Sequence, residues 1–152
     1  MKIDISWQGI EGVFDIEQYC EDNDIDVEEV TKLSCYNNQL TELKGLDKLV
    51  NLEDLDCHSN QLTELKGLDK LVNLEWLNCR SNQLTELKGL DKLVNLEELY
   101  CENNQLTELK GLDKLFNLGW LNGEQYQPIS GQIKQIIDRL DLIIDKLHRY
   151  IK

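Results

Sequence analysis

The chain has 152 residues, 41% of them hydrophobic, and carries a formal net charge of −13 with a pI near 4.5. That length suits one domain, and the charge argues against nucleic acid or an anionic membrane as a partner, because phosphate binding runs on Lys and Arg clusters. The start, Met1 to Ser6, has no apolar run of signal-peptide length, no segment reaches the roughly 20 apolar residues that span a bilayer, and five cysteines is an odd number, so a reducing, cytoplasmic setting is expected.

Residues 1–29 form an acidic cap in which Lys2 is the only basic residue. Asp15 to Cys20 predicts a short helix, and Asp26 stands as an N-cap before Val27-Glu28-Glu29-Val30, leading into a first strand at Leu33. Asp22-Asn23-Asp24 opens like a calcium loop, but Val27 replaces the required Gly and Leu33 the bidentate Glu, so no metal is expected there. Cys20 is the expected reactive thiol.

From residue 30 to 121 the chain repeats itself. Asn-Gln-Leu-Thr-Glu-Leu-Lys-Gly-Leu-Asp-Lys-Leu-Val-Asn-Leu-Glu stands unchanged at Asn38 to Glu53, Asn60 to Glu75 and Asn82 to Glu97, and Asn104 to Gly119 differs only at Phe116 and Gly119. A period of 22 residues marks a solenoid, whose units cannot bury their apolar face alone. Leu52, Leu55, Cys57, Asn60, Leu62, Leu65, Leu68 and Leu71 fit the spacing L-x-x-L-x-L-x-x-N-x-L with Cys in the third apolar slot.

These residues resemble the leucine-rich repeat family, in particular its 22-residue internalin-like class, known from bacteria and some large viruses. The resemblance implies an α/β solenoid: a right-handed superhelix with a concave parallel β-sheet, a convex side of turns and 3₁₀ segments, and helical caps. It also implies that Asn38, Asn60, Asn82 and Asn104 turn inward to bond the backbone of neighbouring coils. Gly45, Gly67, Gly89 and Gly111 read as structural, either because a side chain would obstruct the next coil or because the turn requires a positive φ. The Glu, Lys, Asp and Lys columns of the convex side offset one another as a solvated face.

Strand side chains alternate between faces. With Leu55 and Cys57 inward, the outward set is Lys32, Ser34, Tyr36; Asp54, Asp56, His58; Trp76, Asn78, Arg80; Glu98, Tyr100, Glu102; and Trp120, Asn122, Glu124. The copies differ mainly at these positions. Folding does not explain that variation, because outward side chains contribute little to the core.

Tyr36, Trp76, Tyr100 and Trp120 on a polar face, with Arg80 among them, are residue types enriched at interface hot spots. The expected function is non-enzymatic binding of a protein or peptide by Tyr36, Asp54, Asp56, His58, Trp76, Asn78, Arg80, Glu98, Tyr100, Glu102 and Trp120. The charges on this face favour a ligand with Lys or Arg. Diagonal cross-strand packing of the tryptophans is the structural alternative.

Residues 122–152 form the second cap. Ile133, Ile136, Leu140, Ile143, Leu147 and Tyr150 predict an amphipathic helix over about 130–151, covering the last repeat or serving a homodimer. Cys35, Cys57, Cys79 and Cys101 read as a packed ladder of free thiols, since their spacing matches no zinc pattern and in-register strands disfavour the disulfide torsion. No nucleophile, phosphate-loop or metalloprotease motif is present, and neither cofactor nor catalytic residue is expected.

Overall fold

The computed structural model describes residues 1–126 together with Leu140, Ile143 and Ile144. Its elements are β1 (Lys2–Asp4), β2 (Glu11–Asp15), α1 (Ile16–Asp22), a 3₁₀ turn at Val27–Glu29, β3 (Lys32–Ser34), β4 (Gln39–Lys44), β5 (Asp54–Asp56), β6 (Trp76–Asn78), β7 (Glu98–Tyr100), β8 (Trp120–Leu121) and β9 (Glu124–Gln125). Among the described residues no helix is long and apolar enough to cross a membrane.

Each repeat gives the main sheet one strand of three residues or fewer and makes one 3₁₀ turn, at Leu46–Lys48, Leu68–Lys70, Leu90–Lys92 and Leu112–Lys114, and the first repeat adds the six-residue β4. The strands stack in the order β1-β3-β5-β6-β7-β8-β9, parallel until the last pair. Between them lie columns of leucine: Leu33, Leu55, Leu77 and Leu99 are consecutive partners in register, all fully or almost fully buried. Burial of each such side chain stabilises by about 1.5–3 kcal/mol, and the gain exists only when neighbouring coils are present.

Two kinds of residue close the coils. Asn60 accepts a hydrogen bond from the Leu40 amide at 3.0 Å and donates to the carbonyls of Cys35 at 3.0 Å and Cys57 at 3.1 Å, joining two coils with one side chain. Asn38, Asn82 and Asn104 repeat the arrangement. Gly67 meets both demands expected of it: its φ is +86°, and a Cβ there would lie 2.6 Å from the Asp47 Cβ of the preceding coil.

The amino-terminal cap holds more than its expected helix. Asp15 accepts from the Gln18 amide at 3.2 Å to start α1, and Ile16 and Cys20, four apart, are its buried face. Asp26 likewise caps the 3₁₀ turn by accepting from the Glu28 amide at 3.0 Å. In addition β1 pairs with β3, and β2 pairs with β4 on the convex side, matching Ile3 to Leu33 and Phe14 to Leu43. The cap is thus a further, longer coil of the stack. This places Cys20 in the core, 1% exposed with its thiol pKa pushed up by burial, which corrects the expectation of a reactive thiol.

At the other end β8 turns back through Asn122 and Gly123, with φ of +52° and +79°, to pair with β9 as a two-residue hairpin. Asn-Gly is the favoured sequence for such a turn because both residues tolerate left-handed φ. Antiparallel pairing sets Leu121 opposite Glu124 and Trp120 opposite Gln125. Glu124 therefore shares the face of Leu121, and Gln125 that of Trp120, the reverse of continued alternation. The helix expected over 130–151 lies outside the described residues apart from Leu140, Ile143 and Ile144, which are helical and exposed.

Candidate functional site: the concave face

The register arranges the outward residues in three rows. The first runs Lys2, Lys32, Asp54, Trp76, Glu98, Trp120, and the second Asp4, Ser34, Asp56, Asn78, Tyr100. The third follows from backbone bonds linking successive coils, Trp7 N to Tyr36 O, Asn37 N to His58 O, Ser59 N to Arg80 O and Ser81 N to Glu102 O, and reads Ser6, Tyr36, His58, Arg80, Glu102. All eleven residues anticipated for partner binding thus fall on one continuous sheet face.

Within it two aromatic groups form. Tyr36 stacks on His58 with centroids 4.6 Å apart and planes 8° from parallel, while Trp7 meets Tyr36 edge-on at 6.3 Å. Trp76 and Tyr100 pack at 5.9 Å and 50°, the diagonal cross-strand contact that alternation allows. Trp120 is 47% exposed. Trp7, 72% exposed, was missed by sequence reasoning, because alternation from the inward Ile3 and Ile5 turns it toward the core, whereas its φ of +60° takes it out of that alternation.

Most concave charges are matched locally. Lys2 pairs with Asp4 at 2.9 Å and holds its carboxyl below the usual range, and Lys32 pairs with Asp54, which raises the Lys32 pKa. His58 Nδ1 lies 2.6 Å from Asp56 Oδ1 and 3.3 Å from Asn78 Nδ2. Asn78 is 6% exposed, so it does not present itself to a partner. Arg80 faces Glu102 at 4.0 Å, and the Tyr100 hydroxyl donates to Glu98 Oε2 at 2.9 Å, raising the phenol pKa.

Two shallow hollows open on this face. One of about 440 Å³ is lined by Tyr36, Asp56, His58, Trp76, Asn78, Arg80 and Tyr100, and one of about 460 Å³ runs from Lys2 and Lys32 to Asp56 and Trp76. A hollow of about 410 Å³ between the Gly89 and Gly111 turns is walled by residues that recur in every repeat, so it is a groove of the coil geometry. Among the described residues no group of His, Cys, Asp and Glu is arranged to hold a metal ion.

An inward Leu/Cys face, an Asn ladder and a 3₁₀ convex side define a leucine-rich solenoid. The profile described as "Leucine Rich repeats (2 copies)" matches residues 28–70 and 72–114, and the chain belongs to that family. The functional domain of InlJ from Listeria monocytogenes, which includes a cysteine ladder, is similar at 28% identity and a TM-score of 0.61. A leucine-rich repeat protein of Leptospira interrogans shares the fold at 21% identity and a TM-score of 0.63. Both similarities cover 79% of this chain, which spans 26% and 42% of those two chains. No curated protein sequence matches. The similarity to the InlJ domain supports an internalin-like repeat, and leucine-rich repeat domains generally mediate protein–protein interaction.

Proposed function

We propose that the chain is a non-enzymatic binding module that holds a partner protein or peptide on its concave sheet, with Trp76, Tyr100, Trp120, Tyr36 and Arg80 as anchors and Trp7 extending the surface. The observation that carries this reading is a contrast within the same strands. Inward positions are Leu and Cys in repeat after repeat, while outward positions change at each step and collect large aromatics that water alone does not favour. Seven strands at about 4.8 Å give a face about 30 Å long, enough for an extended peptide, one helix or one edge of a domain.

The charged rows carry more acids than bases, Asp4, Asp54, Asp56, Glu98 and Glu102 against Lys2, Lys32 and Arg80, which supports a ligand bearing Lys or Arg. The test is affinity capture from a lysate of the source cell, comparing the wild type with a Trp76→Ala, Tyr100→Ala, Trp120→Ala variant that retains its circular dichroism spectrum. A partner retained by the wild type and lost from the variant is the expected result. Equal capture by both rejects the concave face.

A further inference from the structure

Among the described residues, Glu98 lacks the Lys or Arg partner that Asp4, Asp54 and Glu102 have. Asp4 has Lys2, Asp54 has Lys32, Asp56 has His58 and Glu102 has Arg80, whereas among the described residues Glu98 has only the neutral hydroxyl of Tyr100. It is also the residue whose two register neighbours are both tryptophan, Trp76 on one side and Trp120 on the other. We propose that Trp76, Glu98, Tyr100 and Trp120 form a slot for one arginine side chain of the partner; the assignment rests on the concave-face reading and names its central contact.

The distances suit the chemistry. Register places Glu98 between the two tryptophans, about 4.8 Å from each at the backbone, so a cation held by the carboxylate has an aromatic residue on either side of it. The Trp76 and Trp120 backbones stand about 9.6 Å apart, and since Trp76 leans on Tyr100 at 5.9 Å, Trp120, 47% exposed, is the open wall. Guanidinium is planar, weakly hydrated and stacks on indole while its N–H groups donate to a carboxylate. The Tyr100 hydroxyl occupies Glu98 Oε2 and leaves Oε1 for the guest. Arg80 does not fill the slot, because it stands in the third row facing Glu102.

The experiment titrates the whole chain with methylguanidinium chloride and follows the three indole N–H signals by NMR, with methylurea as the uncharged isostere and methylammonium as the competing cation. Saturable shifts at Trp76 and Trp120, with Trp7 unmoved, are expected for methylguanidinium, with methylurea and methylammonium weaker. Glu98→Gln, its amide spectrum otherwise unchanged, should weaken methylguanidinium binding about tenfold. Equal, non-saturating shifts at all three indoles, methylammonium binding as tightly as methylguanidinium, or no effect of Glu98→Gln overturns the slot.

Partner capture separates this idea from the one beneath it. Capture lost in the triple aromatic variant but undiminished by Glu98→Gln overturns the slot and leaves the concave face standing. Capture equal in the wild type and the triple aromatic variant overturns both.

Discussion

The two faces of strands β5, β6 and β7 share a backbone and differ in what constrains them. Inward, Leu55, Leu77 and Leu99 sit one coil apart with Cys57, Cys79 and Cys101, nearly sealed from water and repeated without change. Outward, the same strands carry Asp-Asp-His, Trp-Asn-Arg and Glu-Tyr-Glu. The contrast shows that in a stacked fold each column must solve one packing problem identically in every coil, while the opposite column is free to vary and so can be used for recognition.

The sharpest break of that division comes from alkali, because the inward face contains the ladder thiols. Burial raises the pKa of Cys57 and Cys79 well above normal and that of Cys101 to about 11, and Cys35 is raised too. An unfolded thiol titrates near pH 8.5. Since the folded pKa lies higher, the thiol form's stabilisation is present below about pH 8.5 and is lost as pH rises toward the folded pKa, by about 1 kcal/mol per ladder cysteine by pH 9.5. Urea unfolding should thus show a loss of about 4 kcal/mol between pH 7.5 and 9.5 from the four together. The loss should shrink in a Cys57→Ala, Cys79→Ala variant; an equal loss there assigns it to other groups.

Gly89→Ala tests the same face through geometry. The new Cβ would lie 2.6 Å from the Asp69 Cβ at a φ of +88°, and left-handed strain plus overpacking amount to roughly 2–5 kcal/mol. A midpoint in urea close to wild type would mean the coils separate more easily than their register implies. Asn82→Ala follows, at roughly 1–3 kcal/mol, because the Leu62 amide and the carbonyls of Cys57 and Cys79 lose their partner together. Asn82→Asp keeps the acceptor for Leu62 but turns a carboxylate oxygen toward the Cys57 and Cys79 carbonyls, so a loss at least as large as that of Asn82→Ala, with no side-chain volume removed, distinguishes ladder bonding from simple cavity formation.

How much of this was legible in the sequence follows from the same division. The repeat fixes spacing, and spacing determines which residues share a column, so the inward face, the Asn ladder and the rows of the concave sheet could be read directly. The amino-terminal coil was only half legible. Ile3 and Phe14 pair with Leu33 and Leu43, 30 and 29 residues on and not 22, and Ile5, Ile16 and Cys20 join them in the core, so its helix showed while its strands and the burial of Cys20 did not. The Asn122-Gly123 hairpin carried a clear turn signal, yet the expectation of one more repeat overrode it and misplaced Glu124. Pairings such as Tyr36 on His58 depend on rotamers that no period encodes.

On the outward face, Trp76→Ala should cost less than about 1 kcal/mol of stability, since it removes one edge of the Trp76–Tyr100 contact but opens no core cavity. Its effect belongs in binding, so the ratio of lost affinity to lost stability separates a recognition residue from a packing one. A variant that captured its partner normally but unfolded several kcal/mol more easily would return Trp76 to the scaffold.

The smallest effect is expected on the convex side, where the charge columns do not vary and yet packing is not the reason. Lys66 sits 3.4 Å from Glu42 of the preceding coil and 3.2 Å from Glu64 of its own, all three well exposed. Its pKa is raised first by Glu64, then by Glu42. Exposed pairs of this kind contribute little and are screened by salt, so Lys66→Ala should shift the urea midpoint less than Trp76→Ala does, and less again in about 0.5 M NaCl. If instead the loss exceeds that of Trp76→Ala and survives salt, the charge columns help hold the coils together. Identity along the convex side would then reflect selection as well as duplication, and the concave face would no longer be distinguished by variability alone.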